Sequence, residues 1–313
     1  MLNALVASFL VLNPILSFFI SQDASSSKAP FLTSKNQFLS SADFKLPLSE
    51  NAFLASELLL PVSPLRDWNK DEPEIGATAA LVFETKNRAI LFQKDNINEP
   101  RPIASLTKLM TALVAQKNAK ETDIFEISQN AIAQEGEMGN LAVGEKITLK
   151  NLLYLLLVAS SNDAAQAIAE NIPDFVLLMN QEAKTLGLKN TSFKDSSGLE
   201  AANFSTAREL VKIMEETLKD PLLSKIMQTQ KIEVFSADKK FRHQIESTDK
   251  LLGRVSEILG GKTGYTEEAG NCMILAVKAP KNEGIIISVV MNSPDRLFET
   301  ETLINWTRKA YLW

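Results

Sequence analysis

The sequence predicts an α/β domain in which one antiparallel sheet is covered by helices. Four short apolar runs that are typical of strands lie at 79–84, 89–93, 272–277 and 285–291. Between the two pairs of runs, apolar residues recur at helical spacing, which predicts buried helices over about 105–116 and 151–158. Strands at both ends of this region therefore favour one sheet built from distant parts of the chain.

Each pair of runs predicts a β-hairpin. Ala79–Glu84 and Ala89–Gln93 are separated only by the polar residues 85–88. The second pair is joined by a turn over 280–284, which begins with proline and ends with glycine. A last helix is predicted from about Asp295 to Tyr311.

Capping residues predict where two of the central helices begin. A polar break at 160–163 follows the apolar helix, and either Asn162 or Asp163 is expected to cap a second helix that ends near Glu170. Farther along, Thr206 and Glu209 have the spacing of a capping box before another helix.

The regions before residue 75 differ in character from the rest. Residues 1–20 carry no charged side chain, and as a helix they would reach about 30 Å, the thickness of a bilayer core. They are interpreted as a signal peptide or an N-terminal membrane anchor, and both readings stay open. Residues 21–74, with repeated serine and proline, are interpreted as a tether, and residues 75–313 as the folded domain.

Composition excludes several kinds of site. The 313 residues contain one histidine, His243, and one cysteine, Cys272. This supply cannot build an internal disulfide, a CxxC redox pair or a histidine-rich metal centre, so no metal and no cofactor is expected. The formal net charge of −5 argues against nucleic acid as a partner, because phosphate binding favours a basic face.

Ser105-Leu106-Thr107-Lys108 is the first motif that suggests chemistry. Residues three apart share one face of a helix, so the Ser105 hydroxyl and the Lys108 amine can meet. A serine at a helix start also lies where backbone N–H groups are exposed, which suits an oxyanion site. The alternative is that Ser105 only caps the helix.

Two further motifs are short but well placed. Ser160-Ser161-Asn162 is a polar triplet between two helices, for which capping is the simpler explanation. Lys262-Thr263-Gly264 occurs once, follows two glycines and leads into Tyr265. Small residues beside a cationic strand allow a substrate backbone to approach closely, although an ordinary glycine-rich turn has the same pattern.

In this order the three motifs resemble those of penicillin-recognising serine enzymes. Longer stretches are similar to D-alanyl-D-alanine carboxypeptidases, the low-molecular-weight penicillin-binding proteins: 103–112, 159–165, 195–199, 205–210 and 261–266. The similarity covers about residues 75–313 and implies a β-lactamase/penicillin-binding-like fold with a helical subdomain. Ser161 departs from the family, which usually has glycine there. Many members also have a second β-rich domain and a membrane helix after the catalytic domain, so here the anchor is expected at the N-terminus.

The resemblance implies a role for each residue of the motifs. Ser105 is expected to attack the carbonyl between two terminal D-alanines, Lys108 to take its proton, and Ser160 to pass a proton to the leaving amine. The oxyanion hole is expected at the backbone N–H groups of Ser105 and Tyr265. Substrate binding is expected to involve Asn162, Lys262, Thr263, Gly264 and Tyr265.

Lys108 can act as a base only if its pKa falls from the usual value of about 10.4. Burial and a second cation both lower the pKa of a lysine, and Lys262 is the candidate cation. With an oxyanion site and two such lysines, the expected reaction would need no metal ion.

The implied function is removal of the terminal D-alanine from peptidoglycan stem pentapeptides outside the cytoplasm, with β-lactams as covalent inhibitors. A D,D-endopeptidase of peptidoglycan crosslinks uses the same motifs and stays an alternative. A β-lactamase is less favoured, since its glutamate motif is approached only by Glu200-Ala201-Ala202-Asn203, one residue short. A non-catalytic β-lactam sensor and a Cys272–His243 protease are the remaining alternatives.

Overall fold

A computed structural model of the chain describes residues 64–94, 96–136 and 139–313. The strands in these residues are β1 (Leu65–Arg66), β2 (Ala79–Glu84), β3 (Ala89–Lys94), β4 (Arg101–Pro102), β5 (Ile124–Glu126), β6 (Lys146–Thr148), β7 (Phe204–Ser205), β8 (Lys231–Phe235), β9 (Arg242–Glu246), β10 (Ile258–Thr266), β11 (Gly270–Lys278), β12 (Ile285–Ser293) and β13 (Tyr311–Leu312). The α-helices are α1 (Thr107–Asn118), α2 (Leu149–Leu157), α3 (Asn162–Asn171), α4 (Phe175–Thr185), α5 (Ala207–Lys219), α6 (Pro221–Met227) and α7 (Arg296–Ala310).

Five strands form the main sheet in the order β10-β11-β12-β2-β3, and each neighbouring pair is antiparallel. The two predicted hairpins are confirmed as β2–β3 and β11–β12. β12 pairs with β2, where Val289 lies opposite Leu81, so distant parts of the chain meet in the middle of the sheet. β10 is an edge strand, and it carries the Lys262-Thr263-Gly264 motif.

The sheet separates two apolar cores, because successive residues of a strand point to opposite faces. Leu81 and Phe83 of β2 belong to the core that includes α1, α2 and α5. Ala80 and Val82 of the same strand belong to the second core, which is closed by α7. The helical subdomain is therefore on one face of the sheet and α7 on the other.

Helix α1 lies in the centre of the first core. Its first nine residues, Thr107–Ala115, are all buried, which confirms the predicted buried helix. Ser105 does not lie in α1, however: it belongs to a 3₁₀ turn over Ala104–Leu106 that precedes the helix. The turn places Ser105 and Lys108 on the same side of the chain, next to the edge of the sheet.

The residue that caps α3 differs from the prediction. Ser161, and neither Asn162 nor Asp163, caps α3, because its hydroxyl accepts the Ala164 N–H at 3.1 Å. The prediction was therefore wrong by one residue, and the cap is the middle residue of the Ser160-Ser161-Asn162 motif.

The predicted capping box of α5 is only half formed. Thr206 accepts the Glu209 N–H at 3.0 Å, as predicted. The Glu209 carboxylate instead accepts backbone N–H groups of Lys189 and Asn190, at 2.9 and 3.0 Å. It therefore ties a distant loop to the start of the helix.

Residues 64–74 of the predicted tether contact the domain. β1 pairs with β13, with Leu65 opposite Leu312, and the Trp306 indole N–H donates to the carbonyl of Asp71 at 2.6 Å. Residues 1–63, which include the predicted signal or anchor segment, lie outside the described residues. None of the described helices combines the length and the apolar character that crossing a membrane requires.

Candidate active site

Ser105 and Lys108 are brought together by the 3₁₀ turn. Ala104, just before the serine, has a φ of 47°, a left-handed conformation that is rare for a residue with a side chain. Such strain is typical of functional sites when the surrounding structure holds it in place. The Lys108 Nζ lies 2.9 Å from the Ser105 Oγ, within hydrogen-bond distance.

Lys108 is fully buried and held from three sides. Its Nζ donates to Ser105 Oγ, to Asn162 Oδ1 at 2.6 Å and to the backbone carbonyl of Ser197 at 2.7 Å. Burial lowers the pKa of Lys108 to about 7, against the opposing charge of Asp195. A large fraction of the amine is therefore neutral near pH 7, and the neutral amine can accept the Ser105 proton.

The second motif lies between α2 and α3. Ser160 has a φ of 62°, and its Oγ accepts a hydrogen bond from Lys262 Nζ at 2.7 Å. Asn162 uses both ends of its amide, since Oδ1 accepts from Lys108 and Nδ2 donates to the carbonyl of Glu135 at 2.6 Å. The motif therefore contacts both lysines.

The third motif lies on the edge strand β10. Lys262 is buried, and Thr263 Oγ1 donates to Thr248 Oγ1 at 2.8 Å. A Cβ on Gly264 would lie 3.1 Å from both the Ser105 N and the Ile103 carbonyl oxygen. The missing side chain is thus what lets the strand lie beside the Ser105 backbone.

Tyr265, the residue after the motif, is 60% exposed at the end of β10. The eight residues predicted for the site belong to three segments, which are the 3₁₀ turn with the start of α1, the α2–α3 break and the edge strand. These segments contact one another through Lys108 and Asn162, Lys262 and Ser160, and Gly264 beside the Ser105 N.

Besides burial, the charge of Lys108 lowers the pKa of Lys262, whereas the pKa of Lys108 responds to burial and to the charge of Asp195. The pKa of Lys262 is well below its usual value, first because of burial and then because of the positive charges of Lys108 and Arg296, while the Asp249 carboxylate raises it. Sequence reasoning expected burial and Lys262 together to lower the pKa of Lys108. Burial is the largest cause for both lysines, so the prediction for Lys108 is confirmed for burial and wrong for Lys262 as the second cation.

A loop after α4 supplies contacts that sequence reasoning did not assign. Asp195 accepts the N–H groups of Ser197 and Gly198 at 2.6 Å each, and this turn points the Ser197 carbonyl at Lys108. Gly198 has a φ of 89°, and a Cβ there would lie 1.9 Å from the Ala104 carbonyl oxygen. The loop was part of the resemblance at 195–199. Every residue type has a backbone carbonyl, however, so the sequence does not show which one contacts Lys108.

Arg296 was also missed. Its guanidinium donates to the Gly264 carbonyl at 2.6 Å, so it places a second cation beside the third motif. An arginine at the start of a predicted helix has no sequence signal for this contact, because the helix and β10 are far apart in the chain.

The structure argues against a Cys272–His243 protease. His243 Nε2 pairs with Glu145 Oε1 at 2.8 Å, and the hydrogen bond to Glu145 raises the pKa of the imidazole. Cys272 is buried on β11 and donates to the carbonyl of Ala269, and burial raises its pKa to about 11. The two residues have different partners, and the thiol is poorly suited to act as a nucleophile. The described residues contain no cluster of His, Cys, Asp or Glu able to hold a metal ion.

Comparison with known families agrees with this geometry. A profile described as D-alanyl-D-alanine carboxypeptidase matches residues 67–295. The chain belongs to this family. The resemblance inferred from the three motifs is thereby confirmed.

Curated relatives of this family carry two names. The chain is 33% identical over 213 residues to a D-alanyl-D-alanine endopeptidase of Pseudomonas aeruginosa, covering 65% of this chain and 68% of the relative. It is 34% identical over 229 residues to the D-alanyl-D-alanine carboxypeptidase DacF of Bacillus subtilis, covering 70% and 58%. The matched region of this chain thus spans less than two thirds of the length of DacF.

Solved structures confirm the fold class. The Streptomyces K15 DD-transpeptidase aligns with a TM-score of 0.70 and 27% identity, over 76% of this chain and 98% of that protein. A D-alanyl-D-alanine carboxypeptidase of Mycobacterium tuberculosis aligns with a TM-score of 0.70 and 26% identity, over 77% and 95%. The predicted penicillin-binding-like fold, with its antiparallel sheet and helical subdomain, is therefore the fold of this family member.

Proposed function

We propose that this protein is a serine-type D-alanyl-D-alanine carboxypeptidase that removes the terminal D-alanine from peptidoglycan stem pentapeptides through an acyl-enzyme on Ser105. The observation that carries the proposal is the 2.9 Å contact between Ser105 Oγ and the buried amine of Lys108. An amine with a pKa of about 7 can deprotonate a hydroxyl without a histidine. Membership of the family supplies the substrate class.

In the acylation step, Lys108 takes the proton of Ser105 while Oγ attacks the carbonyl between the two D-alanines. The oxyanion is held by the backbone N–H groups of Ser105 and Tyr265, and the close approach of Gly264 to the Ser105 N brings these two groups near each other. Ser160, which accepts a hydrogen bond from Lys262, passes a proton to the leaving amine. Ser160 regains a proton from Lys108, which gives up the one it took from Ser105, so Lys108 is neutral again before deacylation. The C–N bond then breaks, and free D-alanine leaves.

Substrate binding uses the edge strand. Lys262 and Thr263 hold the terminal carboxylate, with the guanidinium of Arg296 adding positive charge behind Gly264. Asn162 hydrogen-bonds the amide of the substrate backbone through the second N–H of its Nδ2, since the first donates to the carbonyl of Glu135. Water then hydrolyses the ester at Ser105, with Lys108 again acting as base.

A D,D-endopeptidase is the second candidate, because relatives of similar identity in Pseudomonas aeruginosa (33%) and Escherichia coli (31%) carry the name D-alanyl-D-alanine endopeptidase. The two activities differ only in the group on the leaving side of the scissile bond. A carboxypeptidase releases D-alanine from a pentapeptide, whereas an endopeptidase separates a crosslinked dimer.

The test is incubation of the purified protein with pentapeptide muropeptide and, separately, with crosslinked dimer. We expect D-alanine release from the pentapeptide to be faster than dimer cleavage, and Ser105→Ala to abolish both. Dimer cleavage as the faster reaction would establish the endopeptidase. Neither product from the wild type would overturn the proposal.

We also propose that the catalytic domain works outside the cytoplasm, tethered to the membrane through residues 1–20. The support is the uncharged apolar character of this segment and the location of the peptidoglycan substrate. Removing residues 1–27 should release an active protein from the membrane fraction. A full-length chain that is cleaved near Ser27 and fractionates as soluble would establish a signal peptide instead.

A further inference from the structure

Thr248 is a half-buried residue that lies between the second and third motifs but belongs to neither. It comes after β9, and its backbone N–H donates at 3.1 Å to the carbonyl of Val158, two residues before Ser160. Its side-chain oxygen accepts the hydrogen bond from Thr263 Oγ1 at 2.8 Å. One residue therefore contacts both the segment that leads to Ser160 and the strand that carries Lys262.

The loop around Thr248 is held by contacts on both sides of this residue. The Ser247 N–H donates to the carbonyl of Gln230 at 2.7 Å, and Ser247 Oγ accepts the Asp249 N–H at 3.1 Å. The loop also lies directly against β10, since a Cβ on Gly261 would be 2.6 Å from Asp249 Oδ2. The backbone thus fixes where the Thr248 hydroxyl lies relative to the edge strand.

Hydrogen-bond donors around the third motif are partly used within the protein. A protonated lysine has three N–H donors, and a threonine hydroxyl has one O–H. Lys262 gives two of its donors to Ser160 Oγ at 2.7 Å and to the Thr263 carbonyl at 2.9 Å. Thr263 gives its hydroxyl proton to Thr248, whereas the Thr248 proton has no acceptor in the described part of the chain. Of these three side chains, the donors left for a ligand are therefore one N–H of Lys262 and the O–H of Thr248.

Thr248 is also the more accessible of the two hydroxyls. Thr263 is only 3% exposed, whereas Thr248 is half-buried. A hydroxyl that accepts one hydrogen bond is polarised by it and becomes a stronger donor in the next. The hydrogen bond from Thr263 therefore holds the Thr248 oxygen in place and strengthens its unused donor.

We infer that Thr248 is a further substrate-binding residue: its hydroxyl donates to the terminal carboxylate of the substrate, while Thr263 Oγ1 holds that hydroxyl in place. This inference rests on the proposed function, in which Lys262 and Thr263 bind this carboxylate. Thr263 then acts on the carboxylate through Thr248, and Lys262 contributes its remaining N–H. The carboxylate is thus held by a charged donor and a neutral donor from two different segments of the chain.

The test is to measure KM and kcat for release of D-alanine from a stem pentapeptide by the wild type, Thr248→Val and Thr248→Ser. Valine has nearly the shape of threonine but lacks the hydroxyl. Loss of a hydrogen bond to a charged group should raise KM about tenfold or more. kcat should stay close to that of the wild type, because the carboxylate is bound equally before and during the attack on the peptide bond. Thr248→Ser keeps the hydroxyl and should keep KM near the wild-type value.

Two further comparisons separate this role from a general effect of the substitution. Thr185→Val makes the same change on an exposed residue at the end of α4 and should leave KM unchanged. The double variant Thr248→Val/Thr263→Val should have a KM no higher than Thr248→Val alone, because Thr263 acts through Thr248. Effects on KM that add in the double variant would show two separate contacts and would overturn the arrangement.

A KM of Thr248→Val equal to that of the wild type would overturn the inference and leave the proposed function intact. So would a fall in kcat with KM unchanged, or a Thr248→Ser protein as impaired as Thr248→Val, since either would mark a structural role. KM does not depend on the fraction of enzyme that is folded, so partial unfolding of a variant does not imitate the expected result. A wild type that releases no D-alanine would overturn the proposed function, and the inference with it.

Discussion

Lys262 Nζ donates a 2.7 Å hydrogen bond to Ser160 Oγ and thereby joins the edge of the sheet to the helical subdomain. Ser160 comes after α2, and Lys262 lies on β10, so neither element alone contains a complete site. Ser105, the proposed nucleophile, lies between them, in the turn before α1. The site therefore forms only when the two halves of the fold are assembled, and its reactivity depends on contacts that can be changed one at a time.

Replacing Lys108 by arginine should abolish acylation. Arginine keeps a positive charge but does not lose its proton at working pH, so it cannot act as base. We expect the rate of penicillin acylation to fall at least about 100-fold, the low end for loss of a general base. Lys117→Arg, on the exposed end of the same helix, is the matched control and should react at the wild-type rate. A Lys108→Arg protein that acylates normally would mean that Lys108 acts only through its charge.

The rate of acylation should rise with pH as Lys108 loses its proton. Because the neutral amine is the reactive form and burial lowers its pKa to about 7, the rise should be centred near pH 7. Stopped-flow measurement of acylation over a pH series gives this midpoint. A midpoint near the ordinary value for lysine, about 10.4, would show that burial does not prepare the base.

Gly198→Ala should disrupt the site. The backbone there has a φ of 89°, and the new Cβ would lie 1.9 Å from the Ala104 carbonyl oxygen, next to the nucleophile. Gly187→Ala is the control, because it has a similar φ of 69° with no atom within 4 Å of its Cβ. Both variants should lose about 1 to 2 kcal/mol from left-handed backbone strain, and Gly198→Ala more. Only Gly198→Ala should also lose acylation. If the two variants showed the same change in melting temperature and in acylation rate, the close approach of Gly198 to the Ala104 carbonyl would be refuted.

Ser161 should matter for stability rather than for chemistry. Its hydroxyl caps α3 through the Ala164 N–H, so Ser161→Ala should lower the free energy of unfolding by about 1 kcal/mol, and Ser161→Gly by only a few tenths. Denaturant unfolding measures both, and acylation rates should stay close to the wild type. A large loss of acylation in Ser161→Gly would instead assign the hydroxyl to the reaction.

The chemistry of the site could be predicted from the sequence because its side chains occur in short motifs. Ser105 and Lys108 are separated by one helical turn, so their contact is local and can be derived from spacing. The contact between Lys262 and Ser160 spans more than a hundred residues, and only the family resemblance indicated it. The fold class was predictable for a related reason, since local patterns indicate each of the hairpins at residues 79–94 and 270–293.

Contacts made by backbone atoms, and the burial of an acidic side chain outside the motifs, were not predictable. The backbone carbonyl of Ser197 accepts a hydrogen bond from Lys108, and any residue type at that position could do the same. Asp249 is buried, but nothing in the sequence around it distinguishes it from an exposed aspartate. Only half of the predicted capping box at Thr206 and Glu209 forms, because the Glu209 carboxylate accepts the backbone N–H groups of Lys189 and Asn190 instead. Ser161 was overlooked as a cap because three adjacent polar residues could each serve.

The acyl-enzyme made with penicillin should persist for minutes or longer, while that made with a D-Ala-D-Ala peptide should turn over. The opened lactam keeps its leaving amine attached and obstructs water, whereas free D-alanine departs. Glu200, the nearest match to a deacylating glutamate, has an exposed side chain, and its N–H donates to Asp195. Release of labelled penicillin within seconds would move the assignment to a β-lactamase.

The central claim is that Ser105 is the nucleophile, and the most direct measurement is to locate the covalent penicillin. The full-length protein is incubated with a labelled penicillin, digested and mapped by mass spectrometry, with Ser105→Ala as the control. The account predicts a single adduct on the peptide that contains Ser105 and no adduct in the control. An adduct on another residue, or none on the wild type, would contradict it.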